Sequence, residues 1–61
     1  MTMTMTKIVR VLWSIPGVRE GESRTIRAAE SAMAACRGHV GPIAGYIVIC
    51  RRDGSRERRA A

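Results

Sequence analysis

From Val9 to Ile15 the chain alternates, with Val9, Val11, Trp13 and Ile15 in one phase and Arg10, Leu12 and Ser14 in the other. Period two with β-branched and aromatic residues predicts a strand. The same phase runs backwards through the opening Met-Thr pairs. Met1, Met3 and Met5 are odd, Thr2, Thr4 and Thr6 are even, and Lys7 breaks the odd face. Within residues 1–6, at least Met5 and Thr6 are therefore expected to extend the strand, with Met1 and Met3 joining only where a neighbouring strand or subunit pairs with them and fraying otherwise. The even face mixes Ile8 and Leu12 with Arg10, so it too calls for some burial. Pro16-Gly17 ends the run, because proline lacks a ladder donor and glycine permits a turn. The following PGVREGE reads as a loop.

The period then changes. Ile26, Ala29, Met33 and Cys36 recur at spacings of three, four and three, which predicts a helix over 24–37. Ser23 is the leading N-cap and Thr25 the alternative, with Glu20 and Glu22 placed ahead of the positive end of the dipole. Arg37 falls in the last turn and Gly38 is the expected stop. GHVGPIAG is a connection, and YIVIC from Tyr46 is the strongest strand signal in the chain. Tyr46, Val48 and Cys50 point one way and Ile47, Ile49 and Arg51 the other; apolar on both sides, this strand is central. Asp53-Gly54 predicts a type I′ hairpin. Residues 55–61 then form either a charged edge strand or a basic tail.

This order, strand, helix, strand, hairpin and short strand, gives an α+β class. The domain spans 1–61 as a small two-layer βαβ(β) unit, its one helix packed on a two- or three-stranded sheet. The first two strands pair either in parallel, through a right-handed crossover, or antiparallel. One helix covers one sheet face only. Ile8, Leu12, Ile47 and Ile49, or their opposites, then need another cover, and a homodimer packed sheet on sheet or edge on edge supplies it. A chain this short buries only about 60% of its unfolded surface, which also favours self-association.

Charge adds a partner class. Eleven Lys and Arg face five Asp and Glu, a net charge of +6, and ten of the eleven are Arg. Residues 46–61 carry half of that excess in about a quarter of the chain: Arg51, Arg52, Arg56, Arg58 and Arg59 flank one turn, against Asp53 and Glu57. Arginine makes planar, bidentate contacts with phosphate and carboxylate. The five arginines are expected to form one compact patch for nucleic acid or an acidic protein surface. Arg19 and Arg24, beside the Gly17-x-x-x-Gly21 spacing before the helix, are secondary anion contacts. Base readout lacks support, because Trp13 and Tyr46 both look core-facing.

Other chemistry is sparse. Cys36 and Cys50 make no CxxC pair, and the single His39 cannot complete a zinc site with them. Cys36 completes the apolar helix stripe and reads as a core thiol. No converging catalytic set is visible, so no enzyme activity, metal or small-molecule cofactor is expected. No stretch is long and apolar enough to cross a bilayer, no secretory signal precedes the first strand, and a cytoplasmic location is expected. The leading expectation is a non-enzymatic basic module that binds a polyanion. The alternative is a small protein-interaction inhibitor or regulator of the phage or mobile-element kind, docked on a nuclease or nucleoprotein complex.

Overall fold

A computed structural model describes residues 7–61. The expected strand extension over 1–6 lies outside them. Five elements follow in order: β1 (Ile8–Ile15), β2 (Arg19–Ser23), α1 (Ile26–Val40), β3 (Tyr46–Arg51) and β4 (Arg56–Ala60). The strands form one sheet in the order β2-β1-β3-β4, with every neighbouring pair antiparallel. The two-layer α+β architecture read from the sequence is present with one strand more than expected, and the parallel crossover is not used.

The extra strand is β2. Its sequence, REGES, contains no large apolar residue. It forms because Pro16-Gly17 reverses the chain: Val18 N–H donates to the Ile15 carbonyl at 2.9 Å and Gly17 takes φ 79°. Proline followed by a positive-φ glycine is the signature of a type II turn. Ile15 then pairs with Arg19, Trp13 with Gly21 and Val11 with Ser23. Gly21 is fitted to Trp13, since a Cβ there would lie 2.6 Å from the indole ring.

The helix is displaced from its expected bounds at both ends. Ser23 is taken up by β2, and Thr25 is the N-cap; its side chain accepts from Ala28 N–H at 3.1 Å. Glu20 and Glu22 belong to β2 and do not lead into the helix dipole. At the other end α1 continues through Gly38 to Val40. The stop is Gly41-Pro42, where Gly41 adopts φ 94° and its N–H reaches the Arg37 carbonyl at 2.8 Å, and proline disfavours helix for the residue before it. Arg37 braces the connection to β3 and the C-terminus, donating from Nε to the Ile43 carbonyl and from Nη2 to the Ala61 carbonyl.

The core lies between α1 and one face of the sheet. Val11, Trp13, Ile15, Ala29, Met33, Ile47 and Ile49 form it, with Ile26, Ala32 and Cys36 packed at its margin. The expected helix stripe and strand phase are thus observed from Val11 onwards. Upstream the phase breaks. Ile8 pairs with Arg51 and Arg10 with Cys50, so Val9 is an extra residue in a bulge. Ile8 accordingly packs on the core, whereas Val9 is half exposed.

Among the described residues, the second sheet face carries no layer. Leu12 pairs with Val48, Ser14 with Tyr46 and Arg10 with Cys50, and these side chains point away from α1. The residues awaiting cover are therefore Leu12, Tyr46 and Val48. Ile8, Ile47 and Ile49 are already under the helix.

Candidate functional site

The β3–β4 hairpin decides where the arginines go. Asp53 has no positive φ, which excludes the expected type I′ turn. Gly54 N–H instead donates to the Arg51 carbonyl, Arg51 N–H donates to the Ser55 carbonyl, and Gly54 takes φ 89°. This is a three-residue loop closed by a glycine at positive φ. Ser55 N–H donates to Asp53 Oδ1 at 2.9 Å, so the aspartate side chain also shapes the turn. Past the loop, Cys50 pairs with Arg56, Ile49 with Glu57, Val48 with Arg58, Ile47 with Arg59 and Tyr46 with Ala60.

Paired residues share a face, so the expected five-arginine patch is divided between the two faces. Arg51 and Arg59 lie on the helix side and grip Glu57 between them. Arg51 Nη1 reaches Glu57 Oε1 at 3.0 Å, and Arg59 Nε reaches Oε2 at 2.5 Å. The hydrogen bonds from Arg59 and then Arg51 hold the Glu57 carboxyl below the usual carboxylate range. This trio has part of its positive charge internally neutralised.

Arg56 and Arg58 lie on the open face. The Arg58 guanidinium stacks 3.9 Å from the centroid of the Tyr46 ring. Tyr46 is thus a half-buried residue of the open face rather than a core aromatic. Arg56 flanks Cys50 from one side and Arg10 flanks it from the other, two strand spacings or about 10 Å apart. Arg52 sits exposed in the adjoining turn, its N–H bonded to the Lys7 carbonyl at 2.9 Å. Arg10, Arg52 and Arg56 form no ion pair among the described residues. Arg10 is absent from the arginines that the sequence pointed to. Only the β1–β3 register could have found it, because Arg10 is distant in the chain from the C-terminal cluster.

Arg19 and Arg24 are exposed at the ends of β2, on the opposite edge of the sheet. They do not join Arg56 and Arg58. Gly17 and Gly21 form no phosphate loop, since one is in the type II turn and the other lies in β2 against Trp13. His39 and Cys36 line a shallow groove between α1 and β2, with Trp13 at its floor. Among the described residues, no three His, Cys, Asp or Glu side chains are placed to hold a metal ion. Among the same residues no helix is long and apolar enough to cross a membrane.

The whole open face is polarised. Row by row it reads Arg56, Cys50 and Arg10; then Arg58, Val48, Leu12 and Glu22; then Ala60, Tyr46, Ser14 and Glu20. In the second row the β4 edge is basic, the centre apolar and the β2 edge acidic, while the first row carries Arg56 on β4 and Arg10 on β1. Leu12, Ser14, Glu20, Glu22, Tyr46 and Val48 line one continuous shallow depression there. No family model, no curated protein and no solved structure matches this chain.

Proposed function

We propose that this protein is a non-enzymatic binding module that contacts the phosphates of a nucleic acid or nucleoprotein through Arg10, Arg52 and Arg56, with Arg58 beside them. The observation that carries the reading is the convergence of Arg10, Arg52 and Arg56 on one corner of the sheet, each exposed and without a carboxylate partner among the described residues. Arg51 and Arg59, committed to Glu57, have a smaller part. Backbone contact is favoured over base readout, because the one aromatic on this face, Tyr46, is already stacked by Arg58.

Titration of a labelled duplex and a single strand across a salt series tests this. Four phosphate contacts correspond to a log–log slope of roughly −2.8 on a single strand and −3.6 on a duplex, or a loss of about 50- to 150-fold between 50 and 200 mM salt. Joint replacement of Arg10, Arg52 and Arg56 by Gln should flatten that slope. The same change at Arg24 and Arg27, exposed elsewhere, should have a smaller effect. Absence of binding at low salt, or an unchanged slope in the triple variant, overturns the assignment.

A second reading draws on the apolar centre and acidic edge of the open face. A surface of that composition suits a protein partner better than a polyanion. A small inhibitor or regulator would dock through it.

A further inference from the structure

We infer that the open face of the sheet is covered by a second copy of this chain, in a closed dimer whose two-fold axis runs parallel to the strands. The inference does not rest on the polyanion reading, although the two share Arg58 and the same face of the sheet.

Burial comes first. Leu12, Val48 and Tyr46 lie outside the helix-covered core and are only half-buried. Stacking another sheet about 10 Å away would remove them from water. Charge then selects the occupant. Glu20 and Glu22 on β2 form no ion pair among the described residues, and the other edge of the same face carries Arg56 and Arg58. The row Glu22, Leu12, Val48 and Arg58, acidic at one edge, apolar in the middle and basic at the other, is complementary to itself when reversed edge for edge.

The direction of the axis follows from the rows. A two-fold perpendicular to the strands would lay β2 on β2 and β4 on β4, setting Glu22 against Glu22 and Arg58 against Arg58. A two-fold parallel to the strands lays each β2 on the other copy's β4. Glu22, Leu12, Val48 and Arg58 occupy one row. Glu22 then meets Arg58 of the second copy, twice by symmetry, with Leu12 over Val48 between them. The same operation keeps both β3–β4 turns at one end of the dimer. It therefore gathers two sets of Arg10, Arg52 and Arg56 there, with Arg10 and Arg56 at the margin of the covered face, where their mutual repulsion opposes the Glu22–Arg58 attraction.

Edge pairing is the competing solution, and both edges resist it. Antiparallel pairing of β4 with itself about Arg58 sets Arg58 against Arg58, while Glu57 is already held by Arg51 and Arg59 of its own chain. Pairing of β2 with itself about Gly21 sets Glu20 against Glu22. Pairing β2 with another copy's β4 is charge-compatible but heterologous, so it produces an open filament rather than a closed dimer.

Sedimentation equilibrium with reductant present tests the inference. The expected species has twice the 6.7 kDa chain mass. E22R and R58E should each weaken dimerisation by about tenfold or more, as reversal of close interfacial charge pairs does. An equimolar mixture of the two should restore it, because both symmetric contacts become attractive again. Circular dichroism checks that each variant keeps the wild-type fold, and Leu12→Ser offers an uncharged disruption of the same face. A monomer at several hundred micromolar overturns the proposal, as does a filament growing with concentration. A dimer indifferent to E22R, R58E and Leu12→Ser also overturns it. Lost nucleic-acid binding with intact dimers would fail the functional reading alone.

Discussion

Replacing three glycines by alanine should change stability in opposite directions, and the signs follow from what each new methyl meets. At Gly45 a Cβ would lie 2.5 Å from Met33 Cε, 2.7 Å from the Ser14 carbonyl oxygen and 3.2 Å from Arg37 Nη2. The methionine end can swing away. The Ser14 carbonyl belongs to the central strand of the sheet and cannot. Overpacking of this kind costs about 1–3 kcal/mol. Each kcal/mol moves the melting temperature of a domain this small by about 4–8 °C, so Gly45→Ala should lower Tm by roughly 5–20 °C. Gly21→Ala presses on the Trp13 ring at 2.6 Å and should fall in the same range. Gly38 lies within α1, and a methyl group added there would meet nothing within 4 Å. There alanine adds only helix propensity, worth about 0.8–1 kcal/mol, and Tm should rise by about 3–8 °C. Thermal unfolding by circular dichroism, with Trp13 fluorescence as a second probe, reads all three at fixed protein concentration. A neutral Gly45→Ala would refute the claim that the Ser14 carbonyl is immovable. A destabilising Gly38→Ala would refute the continuation of the helix past that residue.

Two further changes probe single contacts. Thr25→Ala removes the acceptor for Ala28 N–H and should cost about 1 kcal/mol in denaturant unfolding, whereas Ser23→Ala, at the end of β2, should cost less. For Glu57 the pKa is lowered in the folded state, so its contribution is present above the ordinary value of 4.5 and is lost as pH falls through the depressed value. Glu57→Gln should accordingly lose less stability than the wild type between about pH 5 and pH 3, measured by urea unfolding at each pH.

The parts of the fold legible in the sequence are those whose burial leaves a period. Ile26, Ala29, Met33 and Cys36 mark the helix face, and Ile47 and Ile49 mark a strand flanked on both sides. β2 left no such mark. An edge strand of Arg, Glu and Gly is held by backbone pairing and by the fit of Gly21 under Trp13, and neither is a hydrophobic pattern. The arginine surface turned on one residue of loop length. A two-residue Asp53-Gly54 turn would have set Cys50 opposite Glu57 and sent Arg56 and Arg58 to the helix side. The three-residue loop sets Cys50 opposite Arg56 and sends them to the open side. Charge content was readable, but its distribution between faces awaited the register.

The strand order also shapes how the chain folds. β1–β2 and β3–β4 are each local hairpins, with only residues 16–18 and 52–55 between the strand bounds. The seam between them, β1 on β3, joins segments separated by β2 and the whole of α1. Hairpins form within microseconds, whereas a distant pairing first meets the entropy of closing its intervening loop. The chain is therefore two quick, weak halves awaiting one slow meeting at the centre of the sheet, and α1 shortens the search by drawing the ends of that loop together. Shortening a seam residue such as Ile49, which pairs with Val11, should therefore slow refolding as well as lower stability, and stopped-flow refolding checks it.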